Sequence, residues 1–227
     1  MPNWCYNDEY IYGPTKSIEE LYRKLDSWIK NPHGDKWIGN IFINAGFDID
    51  KDDISCRCWL LKWFEYFDDE ELDDVARVEF SSESAWTPIY DSWDKFLKKY
   101  FPSCKYCFTS EEPGNELYLK RDPLNVFFDR EYIIDFIINK PKYFGKYIYL
   151  FDRLGIEEYC GGYKGYLTEG DTRAFIRSII APNNDLKTDD MTTEELLKKF
   201  NENVEAGLYG KDNYFGIYKF EEVGYDE

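Results

Sequence analysis

Apolar and polar positions alternate most cleanly where Ala76, Val78 and Phe80 interleave with Arg77, Glu79 and Ser81. A period of two predicts a strand with one buried face. After a Ser/Glu cluster, Thr87 is placed to cap a helix and Pro88 to occupy its first position, where a missing amide costs nothing. Ile89, Trp93, Phe96, Leu97, Tyr100 and Phe101 then share one helical face, and Pro102 stops the helix. Tyr106 and Phe108, the turn Pro113-Gly114-Asn115, and Leu117 and Leu119 alternating with Glu116, Tyr118 and Lys120 predict a hairpin. Upstream, Trp4, Tyr6, Tyr10 and Tyr12 share a parity in a first strand over 3–12, broken by Gly13-Pro14. Ser17 and Glu20 have capping-box spacing ahead of a stripe of Ile18, Leu21, Tyr22, Leu25, Trp28 and Ile29.

Between 33 and 74 the periods mix. Residues 38–47 suit a short strand or a lining loop, and 56–67, rich in Trp, Leu and Phe, read as a helix. Beyond Asp122-Pro123 the pattern changes. Residues 132–138 and 147–151 read as strands, and Gly161-Gly162 with Gly165 as a loop. Asp171 is placed to cap a helix carrying Phe175, Ile176, Ile179 and Ile180, which Pro182 ends. Thr192 and Glu195 form a second capping box ahead of Leu196, Leu197, Phe200 and Val204, and 215–223 closes the chain as a strand. These elements predict an α+β protein: an antiparallel sheet with helices on one face over 1–122, and a second, smaller α+β unit over 123–227. No internal repeat is visible.

Charge narrows the function. The 227 residues hold 45 acidic against 28 basic side chains, a formal charge of -17. Such a surface repels nucleic acid and anionic membranes, whose binding depends on Lys and Arg. The densest patch is Asp68, Asp69, Glu70, Glu71, Asp73 and Asp74, six carboxylates in seven residues. Runs of this kind are commonly solvated loops. The sharper reading makes this one part of a surface that docks into a basic groove on another protein. Aromatic residues, 19% of the chain, supply core and sheet faces, with tyrosines to spare for an interface. With no leader segment and no apolar run approaching 18 residues, the expectation is a soluble cytoplasmic protein with reduced thiols.

Candidate chemistry is sparse. Cys56, Cys58, Cys104 and Cys107 offer the four thiolates of a structural zinc site, yet C-x-C and C-x-x-C are not matching knuckles, and small buried side chains are the preferred reading. No metal or cofactor is therefore expected. Asp48, Asp50 and Asp52 begin like a calcium loop but continue with Asp53 for the turn Gly and Trp59 for the closing Glu. His33 is the only histidine and lies in a turn-like setting, which all but removes Ser-His-Asp and Cys-His catalysis. Residues 161–165 lack the Gly-Lys-Ser/Thr ending of a phosphate loop.

One resemblance adds to this. The opening Met1-Pro2-Asn3-Trp4-Cys5-Tyr6-Asn7 with Gly13-Pro14, then Phe80, Ser84-Ala85-Trp86-Thr87-Pro88, Phe101-Pro102 and Glu112-Pro113-Gly114, resembles the phage- and plasmid-borne YubB-like family over residues 1–120. The family's Trp-Gly motif ahead of the strand is missing; residues 56–63 and the acidic insertion stand there instead. The resemblance implies a ferredoxin-like fold and a mobile-element owner, and carries no activity. The expectation is a non-enzymatic phage or prophage protein that inhibits a host nucleic-acid-handling defence protein, such as a CRISPR effector. The alternatives are an enzyme or ligand-binding domain with a carboxylate or Cys site, and a phage assembly protein.

Overall fold

The structure, a computed structural model, describes residues 3–30, 36–68, 74–123, 125–137, 148–159, 162–180, 188, 190–209 and 214–225. The chain divides into two compact units, Met1–Phe128 with Glu221–Glu227, and Asp129–Phe220. No described helix is long and apolar enough to cross a membrane.

The first unit runs β1 (Trp4–Pro14), α1 (Thr15–Trp28), α2 (Gly39–Asn44), β2 (Cys58–Asp68), β3 (Val75–Ala85), α3 (Tyr90–Tyr100), β4 (Lys105–Glu112) and β5 (Leu117–Arg121). Strands β5-β4-β1-β3-β2 form one antiparallel sheet in that order. Ile18, Leu21 and Leu25 of α1 and Trp93, Phe96 and Leu97 of α3 share a core with Ile11, Val78, Phe80, Tyr106 and Phe108, so both helices cover the same face. This βαββαβ order with central strands β4-β1-β3-β2 is the ferredoxin-like arrangement.

Several local expectations need correction. Residues 56–67 are not a helix but β2. Register shifts between Leu60 and Lys62 and between Lys62 and Glu65 interrupt the pairing with β3, so the segment carries no clean period of two. Residues 38–47 fold instead into the short helix α2. The Ser17 capping box does not form. Pro14 is the N-cap, Thr15 N–H donates to Asp74 O at 3.1 Å, and Ser17 Oγ meets Ser103 Oγ at 3.3 Å. Helix α3 starts at Tyr90 and has no side-chain cap, although Asp91 in its first turn and Lys98 and Lys99 in its last complement the helix dipole.

The second unit runs β6 (Tyr132–Ile137), α4 (Ile148–Leu154), β7 (Glu157–Tyr159), β8 (Gly162–Leu167), α5 (Glu169–Ile180), α6 (Thr193–Glu205) and β9 (Tyr214–Lys219). Its sheet order, β7-β8-β6-β9, repeats that of β2-β3-β1-β4 in the first unit. Residues 148–151, read as strand, are helical. Gly162 and Gly165 belong to a strand, because a Cβ there would lie 2.4 Å from Phe136 O and 2.7 Å from Ile156 Cγ1. The capping box at Thr192 is present: Glu195 N–H donates to Thr192 Oγ1 at 3.2 Å, and Thr192 N–H to Glu195 Oε2 at 2.8 Å. At α5, Thr168 Oγ1 accepts from Asp171 N–H at 3.1 Å, so the capping side chain precedes Asp171.

Residues 215–223 are two strands. After β9 the chain returns to the first unit, where β10 (Glu221–Glu222) pairs in parallel with β5. Residues beyond 122 also stay with the first unit. Asp122 Oδ2 accepts from the amides of Phe127 and Phe128 at 2.7 and 2.8 Å, and the Phe127 ring stacks on Tyr10 at 4.9 Å.

Candidate partner-binding face and the buried acid behind it

Of the predicted acidic run, Asp68 ends β2 and accepts from the Tyr66 hydroxyl, while Asp74 precedes β3 in a left-handed conformation with φ of 61°. Both are exposed. Asp69, Glu70, Glu71 and Asp73 lie outside the described residues, as does His33.

The four cysteines considered for zinc are not brought together. Cys58 lies on the core face of β2 and donates to Ser82 Oγ at 3.2 Å. Cys107 lies on the opposite face of β4, three strand spacings away, on the order of 14 Å, with Asp122 Oδ1 at 3.9 Å and the Tyr225 hydroxyl at 3.7 Å. Burial pushes the Cys104 thiol up to about 11 and that of Cys107 to about 12, and raises Cys56 and Cys58 too. These thiols stay protonated and unreactive. Among the described residues, no group of three His, Cys, Asp or Glu side chains is arranged to hold a metal. The calcium-like loop is closed on itself: Lys51 Nζ lies 2.7 Å from Asp48 Oδ2, and Asp48 N–H donates to Asp52 Oδ2 at 2.8 Å.

The geometry draws attention to the sheet face that α1 and α3 leave open. Successive strand residues point to opposite sides, and in β1 the parity of Trp4, Tyr6, Asp8, Tyr10 and Tyr12 is the one turned away from the helices. Across β3, Tyr6 pairs with Glu83, Asp8 with Ser81 and Tyr10 with Glu79; Trp59 of β2 also pairs with Glu83. Ser81 Oγ donates to Asp8 Oδ1 at 2.7 Å, and Trp4 meets Trp59 edge-on at 5.7 Å. Tyr6 is 52% exposed, and Trp86 at the end of β3 is 47% exposed. Two nearby cations are engaged within the face. Arg77 Nε lies 2.8 Å from Glu79 with its guanidinium over Phe67, and Lys62 lies 2.8 Å from Glu65. Rings and carboxylates then dominate the face, with exposed Arg57 at its edge, just ahead of β2.

The other parity of β1 carries Cys5, Asn7 and Glu9 into the interior. Asn7 Nδ2 donates to Ser82 Oγ at 3.1 Å and Ser84 Oγ at 3.0 Å, and its Oδ1 accepts from Ser110 Oγ at 2.7 Å. Two residues along, Glu9 is 1% exposed and sits between its register partners Phe80 and Phe108. The Tyr106 hydroxyl donates to Glu9 Oε1 at 2.7 Å. Among the described residues, Oε2 has no hydrogen-bond partner, and neither does the buried Trp93 Nε1. Loss of solvent pushes the Glu9 carboxyl up to about 8, despite the nearby donors of Ser82, Tyr106 and Trp93 and with a further push from the charge of Asp8. Sequence reading missed this residue. The signal was available in the polar, inward parity of a strand whose outward parity is aromatic.

A second buried charge fastens the chain end. Arg121 Nη1 donates to both oxygens of Asp94 at 2.8 and 2.7 Å, and Nη2 to Gly224 O at 2.8 Å. Its guanidinium lies 4.8 Å from the Tyr90 ring centre and 4.7 Å from that of Tyr225. Tyr225 in turn donates to Tyr106 O at 3.0 Å. The arrangement is a clamp rather than an open site.

No family model and no curated protein matches this chain. Among solved structures, it is similar to one described as "Crystal structure of putative glycine cleavage system transcriptional repressor", with 8% identity, 95% of this chain and 98% of that chain covered, and a TM-score of 0.25. A likeness at that level says nothing of function.

Proposed function

We propose that this chain is a non-enzymatic binding protein of phage or prophage origin that occupies the basic, nucleic-acid-holding groove of a host defence protein such as a CRISPR effector. The supporting observation is the open face of the first sheet, where Tyr6, Trp59 and Trp86 are interleaved with Asp8 and Glu83. Carboxylates meet groove cations that otherwise hold phosphates, and the rings supply area and faces for guanidinium groups. The net charge of -17 steers encounter with a basic partner. Asp68 and Asp74, at the two ends of the β2–β3 connection, add the same sign of charge. An enzymatic reading centred on Glu9 has to explain how a substrate reaches a carboxyl that is 1% exposed.

The test is an affinity pull-down from host lysate at low and high salt, comparing the native chain with Asp8→Lys/Glu83→Lys. The expected result is one nucleic-acid-handling protein, retained less at high salt and lost with charge reversal. Retention unchanged by either would overturn the assignment of this face. Self-association without a partner would favour an assembly role instead.

A further inference from the structure

Asp8 and Glu9 are consecutive residues of β1, one on the open face and one in the interior. We infer that Glu9 holds its proton in the free protein and releases it when a cationic partner covers Asp8, so that docking and deprotonation of a buried acid are linked. This rests on the reading of the open face as the partner surface.

The surroundings of Glu9 favour such a linkage from every side. From its own strand it feels Asp8; β3 contributes Ser82, β4 Tyr106, α3 Trp93 and β2 Cys58. None of these is a cation. Three are neutral donors: Tyr106 is bonded to the carboxyl, and Ser82 and Trp93 lie near enough to lower its pKa. The unpartnered Trp93 Nε1 and Glu9 Oε2 are a donor and an acceptor held in reserve for the ionised form. The carboxyl is therefore neutral near pH 7 for want of positive charge, with donors already in place to receive its anion. A guanidinium over Asp8 removes the repulsion that opposes ionisation and adds attraction through the strand. The Glu9 O–H bond then breaks, its electron pair stays on the carboxylate, and the proton passes to solvent. Reciprocity requires that whatever lowers the Glu9 pKa binds the ionised form more tightly, about tenfold for one unit.

A hexa-arginine peptide serves as probe, titrated against the full chain at low salt from pH 6.5 to 9. The expected Kd falls about five- to tenfold across that range for the native protein and is flat for Glu9→Gln, which keeps the shape and the Tyr106 hydrogen bond. Binding that is equally flat in both proteins would overturn the linkage and leave the face intact; no binding at any pH would overturn both. Carboxyl 13C NMR of the native protein checks the starting state independently of any variant. One glutamate signal, absent from Glu9→Gln, is expected to titrate near pH 8. If every glutamate has titrated by pH 6, Glu9 is already charged and the inference fails.

Discussion

In the second unit, the central strand β6 turns Tyr132, Ile134 and Phe136 towards its helices, against Leu167, Ile217 and Phe215 of the neighbouring strands. In the first unit, the corresponding strand β1 turns Cys5, Asn7 and Glu9 inward, against Ser82, Ser84 and Ser110. The strand order is the same in both. An apolar interior is therefore sufficient for this topology, and the polar rows of the first unit are an addition that the fold does not require. Buried polar groups carry a desolvation cost unless they are bonded. Asn7 is bonded on both its amide oxygen and nitrogen, whereas Glu9 and Trp93 each keep an atom without a partner. The contrast locates a cost that packing alone does not explain, at one carboxyl.

The contrast can be tested from its strongest consequence downwards. Phe136→Ala removes a ring from the apolar cluster of the second unit and is expected to cost about 3–5 kcal/mol. All 7 tryptophans, Trp4, Trp28, Trp37, Trp59, Trp63, Trp86 and Trp93, lie in the first unit, so their emission reports that unit alone. Far-UV circular dichroism should show an early transition that tryptophan emission does not follow. A shared shift of both signals would mean that the units melt as one. Arg121→Ala takes the cation from Asp94 and Gly224, and is expected to cost about 3 kcal/mol, seen directly in tryptophan emission. Arg121→Lys should recover little of this, because it lacks the two-pronged geometry.

The third consequence depends on pH. The folded value for Glu9, about 8, lies above its ordinary 4.5, so the fold favours the protonated form. Its contribution is fully present below about pH 4.5 and lost as pH rises through 8. The native protein is expected to lose about 2–4 kcal/mol relative to Glu9→Gln between pH 5 and 9. Parallel stability curves would show that Glu9 is hydrated and ordinary. The smallest effect on folding is expected at the open face. Tyr6→Ala and Asp8→Asn should change stability by less than about 0.5 kcal/mol, while weakening retention of the partner.

Much of the first unit was legible because its elements keep one period and carry strong stops. The alternation around Val78, the stripe through Trp93 and Phe96 ahead of Pro102, and the Pro113-Gly114-Asn115 turn each became the element expected. Strand β2 was misread because two register shifts remove its alternation, and α4 because Ile148, Tyr149, Leu150 and Phe151 are a run too short to tell helix from strand. The repeated strand order escaped the sequence for a different reason. What the units share is pairing between distant strands, while the side chains that fill them differ in kind. The candidate face was half legible: the parity of Trp4, Tyr6, Tyr10 and Tyr12 was plain, but which side the helices cover is decided by Ile18, Leu21, Trp93 and Phe96 packing on Ile11.

The returning chain end has a consequence for synthesis. The second unit is one uninterrupted stretch, Asp129–Phe220, and waits for no later segment to close. The first unit, made earlier, lacks Gly224 and Tyr225 until the whole of the second unit has been made. Until then the Arg121 guanidinium is without two of its partners, and β5 is an edge open to any extended segment nearby. Of the two, the unit that emerges earlier is thus the one completed later, and loss of residues 221–225 strikes the first unit rather than the second.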